Sequence, residues 1–278
     1  MSINQKPWLE MLLSCVNQPN ADLVKRENIQ CDVVMINKSD CNKSELLEVN
    51  GHQVKLFFTT DKGLAKSRNM AIRHSTADIC VICDDDEYFY DGYPEMLIQA
   101  YADHPDADGI VFMIRNPQKK YPKNEFKLSY LSALRIASWQ ISFKRQRVVD
   151  NHLGFNELFG AGAPFPSGGE EHMFLQDCLK AGLRFYYVPI ELGKMIETGE
   201  SQWFAGYTRQ YFINRGVVTA YQLGKIAATA YALYFAITKY ALYRQDCGFL
   251  MALQSMLTGI NSSKIKRPIR KLTHHEVY

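Results

Sequence analysis

Ile79-Cys80-Val81-Ile82-Cys83-Asp84-Asp85-Asp86-Glu87 sets five apolar residues directly against four carboxylates. An unbroken apolar run of this length reads as a strand buried on both faces, the kind found inside a parallel sheet. The carboxylates then stand at its carboxyl end, the edge at which open α/β sheets bind ligands. On an extended backbone Asp84 and Asp86 point to one side and Asp85 to the other. Two carboxylates converging on one side repel unless a cation lies between them, and hard oxygen donors suit Mg2+ or Mn2+. An acidic turn without a ligand is the alternative.

Around this run, short apolar stretches alternate with helical patterns, as in parallel α/β units. Strands are expected over residues 10–16, 32–37, 54–59, 78–83 and 109–115. Between the third and fourth, Leu64, Arg68, Ala71 and Ile72 share one helical face over residues 64–74, with Gly63 just ahead of the first turn. A second helix is expected over 93–102, ending before His104-Pro105, because proline disfavours helix in the residue before it. A third is expected over 170–181, with Phe174, Leu175, Cys178 and Leu179 inward and Gly182 as its stop. Residues 116–123, with two prolines and three lysines, read as a surface loop. After Pro189 the pattern becomes helical and aromatic-rich to about residue 257.

The chain has 278 residues, 47% apolar and 22% charged, a globular composition and not a disordered one. A net charge of +3 gives no global field that argues for nucleic acid, although Lys264, Lys266, Arg267, Arg270 and Lys271 make the end locally basic. Seven cysteines, without paired spacings, fit a reducing, cytoplasmic setting. Cys80 and Cys83 resemble a redox pair, but residues three apart on a strand face opposite sides, so both read as core thiols. The opening residues do not read as a signal peptide, since the short apolar stretch at residues 8–13 contains Glu10. The longest uncharged stretch near the C-terminus, residues 226–238, falls short of the ~20 apolar residues that a membrane span needs.

The segment Lys62-Gly63-Leu64-Ala65-Lys66-Ser67-Arg68-Asn69-Met70-Ala71-Ile72, followed by the opening run through Asp86, resembles the Gly-Leu-Ser-x-Ala-Arg-Asn and strand-Asp-x-Asp block of glycosyltransferase family 2. Gly160-x-Gly162, then Gly168-Gly169-Glu170-Glu171-His172 and Lys180-Ala181-Gly182, resembles the Gly-Glu-Asp helix of the same family. The resemblance covers roughly residues 8–205. It implies an α/β fold of GT-A type, a nucleotide-sugar domain on a twisted, mostly parallel sheet over residues 1–205, with a C-terminal helical extension and basic tail over 206–278. It also implies an inverting transferase that moves a sugar, of the hexosyl type, from a nucleoside-diphosphate sugar, UDP-sugar first, to a hydroxyl on a glycan or lipid-linked acceptor, in cell-surface polysaccharide assembly.

By the same resemblance Asp84 and Asp86 hold Mn2+ or Mg2+ against the diphosphate, with Asp84 and Asp85 beside the nucleotide. Glu171 falls where the family carries its general base, with Glu170 as the alternative because Glu replaces Asp there. Arg68 is expected to touch the nucleotide. Asn37 and Asp40 follow the second strand where the family reads the base, although Asn37-Lys38-Ser39-Asp40 departs from its Asp-Asp-Gly-Ser pattern. Ser201-Gln202-Trp203-Phe204 is a candidate for the acceptor side. Two other functions remain open at this level: a sugar-phosphate nucleotidyltransferase, and a non-catalytic sugar-nucleotide-binding subunit. The aromatic C-terminal helices and basic tail suit peripheral contact with the cytoplasmic face of a membrane, or packing on the domain. A homo-oligomer is compatible with the sequence.

Overall fold

In the computed structural model, residues 7–165, 168–196 and 206–262 are described. The Ser201–Phe204 segment and the basic cluster from Lys264 to Lys271 lie outside them. The described residues fall into two compact units, one of residues 7–157 and 170–196, the other of residues 158–165, 168–169 and 206–262.

The first unit opens with β1 (Leu9–Val16), α1 (Asp22–Arg26), β2 (Asp32–Lys38), β3 (Lys43–Val49), β4 (His52–Thr59), α2 (Leu64–His74) and β5 (Ile79–Cys83). It continues with β6 (Glu87–Phe89), α3 (Tyr93–Asp103), β7 (Gly109–Arg115), β8 (Phe126–Lys127), β9 (Ile141–Lys144), α4 (Arg145–Asp150), α5 (Glu170–Lys180) and β10 (Phe185–Met195). The strands form one mixed sheet in the order β3-β4-β2-β1-β5-β9-β7-β10-β6, with β8 on β10. Strands β4, β2, β1 and β5 run parallel side by side, so Thr59, Lys38, Val16 and Cys83 all end at one edge. Antiparallel β9 then separates β5 from β7.

Alternate residues of the central strands enter opposite cores, which is why their sequences read as continuous apolar runs. Met11, Leu13, Val33, Met35, Val81 and Cys83 pack on the face covered by α1 and α3. Leu12, Val34, Ile36, Cys80 and Ile82 pack on the face of α2 and α5. Cys80 and Cys83 thus lie on opposite faces, and all seven cysteines are free thiols. Gly63, ahead of α2, has φ 116°, a conformation that disfavours any residue with a Cβ.

The sequence predicts helix directly after Pro189, whereas β10 continues to Met195. The pairing of β10 with β7 shifts register between Tyr187 and Glu191, where a residue without an N–H is tolerated. Helix resumes at Thr208, whose hydroxyl caps α6 by accepting from the Tyr211 amide.

The second unit carries α6 (Arg209–Leu223), α7 (Lys225–Thr238), α8 (Tyr240–Tyr243) and α9 (Phe249–Ser262). Gly216 and Gly259 let α6 and α9 meet at backbone distance: a Cβ on Gly259 would come within 2.0 Å of the Ile213 carbonyl oxygen. Arg215 donates to the hydroxyls of Tyr211 and Tyr231 and stacks its guanidinium 4.2 Å from the Phe235 ring centroid. Among the described residues, no helix is long and apolar enough to cross a membrane.

Candidate active site

Arg68 lies on the face of α2 that turns into the protein and is only 1% exposed. A guanidinium cannot lose its charge by giving up a proton in a protein, so burial obliges it to find carboxylates. It finds two. Its Nη2 donates to both oxygens of Asp84 at 2.8 and 3.0 Å, and its Nη1 donates to Glu170 Oε1 at 3.0 Å. The sequence places Arg68 against a nucleotide; the structure turns it inward as the tie between the acidic strand end and the first turn of α5. Residues 102 positions apart are joined in this way. Asn69 supports the same corner, donating to the Phe155 carbonyl at 2.9 Å and accepting from the Phe155 amide at 2.7 Å.

Asp84 also accepts from the Ser138 hydroxyl at 2.9 Å. The backbone does not stay extended beyond it: a bend at Asp85 and Asp86 leads into β6, which pairs with β10. The strand alternation expected for the three aspartates therefore ends at Asp84. Asp85 and Asp86 remain half-buried, their carbonyl oxygens accepting from Arg26 Nη2 at 2.7 Å and from the Ile196 amide at 2.7 Å. Burial, then the charges of Asp84 and Asp85, push the Asp86 carboxyl up to about 6. Among the described residues, no three His, Cys, Asp or Glu side chains form a group that could by itself hold a metal ion.

At α5, Glu170 and Glu171 part company. Glu170 is 4% exposed and bound to Arg68, and its Oε2 is buried without a hydrogen-bond partner. Burial and the neighbouring Glu171 push it up to about 7, against the pull of Arg68. The Glu171 side chain is 17% exposed, with His172 Nε2 at 3.5 Å. Burial raises its carboxyl too, opposed by the backbone N–H at the helix start.

Lys119, in the segment expected as a surface loop, is half-buried, donates to Gln140 Oε1 and lies 5.5 Å from the Trp139 ring centroid. Burial lowers its ammonium to about 8, with the charge of Glu171 opposing. Neither Lys119 nor Ser138 carries a sequence signal, because each acquires its partner only through folding.

Asn37 and Asp40 separate. Asn37 is fully buried, and its amide is occupied by Gln18, accepting from that backbone N–H at 3.0 Å and donating to that carbonyl at 2.6 Å. It thus fixes the loop after β1, and Asp40 is the member of this pair exposed at the sheet edge. Beside the end of β4, a cleft of ≈ 350 Å³ is lined by Thr59, Asp61, Lys66, Ser67 and Arg73 among others; none of the carboxylates from Asp84 to Asp86, nor Glu170 or Glu171, lines it.

Beneath the acidic bend, Glu27 and Glu87 are fully buried. Cys83 Sγ donates to Glu27 Oε2 at 3.4 Å, while Glu27 Oε1 and Glu87 Oε2 have no hydrogen-bond partner. Burial pushes Glu27 from its usual 4.5 up to about 9, so it holds a proton at neutral pH. The folded state then binds a proton that the unfolded state has released, and stability falls as pH rises from about 4.5 through about 9. Glu27→Gln, which keeps the shape of the protonated acid, is expected to flatten this decline in melting temperatures taken between pH 5 and 9. An unchanged slope would move the source of the decline elsewhere.

Among known proteins, the sequence profile described as glycosyl transferase family 2 matches residues 9–163. Two crystal structures of S. aureus TarS 1-349 share the fold at 12% identity. The complex with UDP matches with a TM-score of 0.58, covering 92% of this chain and 90% of that one. The complex with UDP-GlcNAc matches at 0.55, covering 86% and 74%. No curated protein matches the chain.

Proposed function

The chain belongs to glycosyl transferase family 2 and is a glycosyltransferase of GT-A fold, and from that premise we propose that it transfers a hexosyl group from a UDP-sugar to an acceptor hydroxyl with inversion. The observation that carries this reading is the double ion pair of Arg68, which draws together the two sequence blocks expected to bind donor and activate acceptor. The acceptor is a glycan or lipid-linked sugar of cell-surface polysaccharide assembly, met at the cytoplasmic face of a membrane. That TarS was crystallised with UDP and UDP-GlcNAc makes UDP the first nucleotide to test.

Glu171 is the base. Its neighbour Glu170 is committed to Arg68, whereas the Glu171 side chain has no hydrogen bond to Arg68 and is 17% exposed. It takes the proton of the acceptor hydroxyl as that oxygen bonds to the anomeric carbon, and the bond from this carbon to the diphosphate oxygen breaks. Lys119, close enough to Glu171 to feel its charge, favours the ionised base. Asp40 stands exposed for contact with the nucleotide base.

The donor set fits a divalent metal. Asp85 and Asp86 are half-exposed hard oxygen donors, and the like charges that raise Asp86 are those a cation relieves. Mg2+ and Mn2+ sites commonly use one or two carboxylates and complete the shell with water and phosphate oxygens, so an all-protein cage is not required. Asp86 and Asp84 would hold the ion, Asp84 being oriented by Arg68 and Ser138. When bound, the ion neutralises charge developing on the leaving diphosphate.

A thermal-shift panel of nucleoside diphosphates, each with and without Mn2+, tests the reading. A ligand at about 100 times its Kd adds about 2.7 kcal/mol, enough for a shift of roughly 5 °C or more. UDP with Mn2+ is expected to reach that shift. Asp86→Ala should keep the unliganded melting temperature and lose the Mn2+-dependent part. If no nucleoside diphosphate moves the transition, the donor assignment fails.

A further inference from the structure

Helix α7 has its apolar residues inside out. It buries Ala228, Ala232 and Ala236 together with Phe235, while Ile226 is 92% exposed, Leu233 49%, Tyr234 55% and Ile237 60%. Ile226, Ala230, Leu233 and Ile237 recur at helical spacing on the outer side. Between Lys225 and Lys239 the polar groups are the hydroxyls of Thr229, Tyr231, Tyr234 and Thr238; both threonines donate back to carbonyls of their own helix, and Tyr231 accepts from Arg215. A helix placed in water with no charged residue along its outer face and its largest aliphatic side chains exposed is built for a covered state.

We propose that α7 lies flat on an anionic lipid surface, its Ile226, Leu233, Tyr234 and Ile237 entering the boundary between headgroups and acyl chains while Lys225, Lys239 and Arg244 meet the headgroup charge. Fourteen residues make about 21 Å of helix, shorter than the ~30 Å hydrocarbon core, so the stripe rests in the surface and does not cross it. The flanking charge selects lipid over a second copy of this chain. Antiparallel pairing of two α7 helices would set Lys225 against Lys239 at both ends, and parallel pairing would set each lysine against itself. No Asp or Glu lies in α7 or α8 to offset either arrangement. Over residues 206–262, Arg209, Arg215, Lys225, Lys239 and Arg244 stand against Asp246 alone, and Asp246 already accepts from the Tyr207 amide. The sequence beyond adds Lys264, Lys266, Arg267, Arg270 and Lys271 against Glu276. An apolar face together with cations is the two-part signal that reversible membrane attachment requires.

The proposal locates the membrane contact of the transferase reading and rests on that reading for its purpose, but lipid binding is measured without donor or acceptor. The full chain is floated with phosphatidylcholine vesicles with and without phosphatidylglycerol, beside Leu233→Glu/Ile237→Glu and Lys225→Glu/Lys239→Glu. The natural chain is expected to float with the anionic vesicles only. The first variant should lose at least about tenfold in bound fraction, because two large apolar side chains are replaced by charges. The second should lose the response to phosphatidylglycerol. Both variants should keep the melting temperature and the UDP shift, since none of these positions belongs to the acidic site. Equal flotation of all three proteins, or no flotation of the natural chain, overturns the proposal. So does a dimer in light scattering that Leu233→Glu/Ile237→Glu converts to a monomer, which would make a second copy the occupant. Flotation as expected with no nucleotide shift in any protein would uphold the surface and remove the UDP-sugar donor reading.

Discussion

Arg68→Met is expected to lower the free energy of unfolding by about 3–5 kcal/mol, the usual cost of removing one partner from a buried ion pair. Methionine fills much of the volume, so the loss reports charge more than packing. Without the guanidinium, Glu170 at 4% exposure keeps a carboxylate with no cationic partner, and Asp84 keeps only the Ser138 hydroxyl. The deficit should shrink as the pH is lowered: Glu170 already sits at about 7, and losing Arg68 raises it further, so protonation removes the uncompensated charge. Urea unfolding of both proteins at pH 8 and pH 5 measures this. A loss below about 1 kcal/mol at pH 8 would mean that Arg68 behaves as an exposed ion pair does and is not the tie that the geometry describes. Arg68→Lys separates charge from shape, because an ammonium lacks the fork that reaches two carboxylates in fixed directions.

The parts of this molecule legible in its sequence are those whose signal is local. Strand β5 and the aspartates after it are contiguous, and α2 shows its inward face at helical spacing behind a glycine with φ 116°. Strand β3 is hidden because it is an edge: Lys43, Ser44, Glu45 and Leu46 are all exposed, so no apolar alternation marks it. Strand β9 has four residues and takes its place only by pairing antiparallel with β5 and β7, neither of which is its neighbour in sequence. The extension of β10 past Pro189 depends in the same way on its register with β7.

The candidate site divides along that line as well. Its carboxylates are named by their motifs, but their partners are not. That Arg68 faces Asp84 and Glu170, that Ser138 reaches Asp84 and that Lys119 comes near Glu171 are consequences of long-range packing. Asn37 shows the converse: a polar residue at the ligand edge of a sheet is consumed by the neighbouring loop, a competition that residue type alone does not reveal.

Because the two glutamates at the start of α5 are now distinguishable, they give the sharpest test of mechanism. Glu171→Gln is expected to lower kcat by at least about 10²-fold, the contribution typical of a positioned general base, with donor affinity little changed. The amide keeps the size of the side chain but cannot accept the acceptor's proton at neutral pH. Glu170→Gln should behave differently. It removes a buried carboxyl that burial and Glu171 already push up to about 7, and its amide oxygen can still accept from Arg68, so its effect should fall on stability and on the pH profile more than on kcat at saturating acceptor. Steady-state rates for both variants, with nucleotide binding and melting temperature taken alongside, separate the two roles. If Glu170→Gln loses the 10² and Glu171→Gln does not, the base is Glu170 and Arg68 is its direct partner. A small effect from both would place the proton acceptor outside α5, leaving this pair to fix Arg68 and, through it, Asp84.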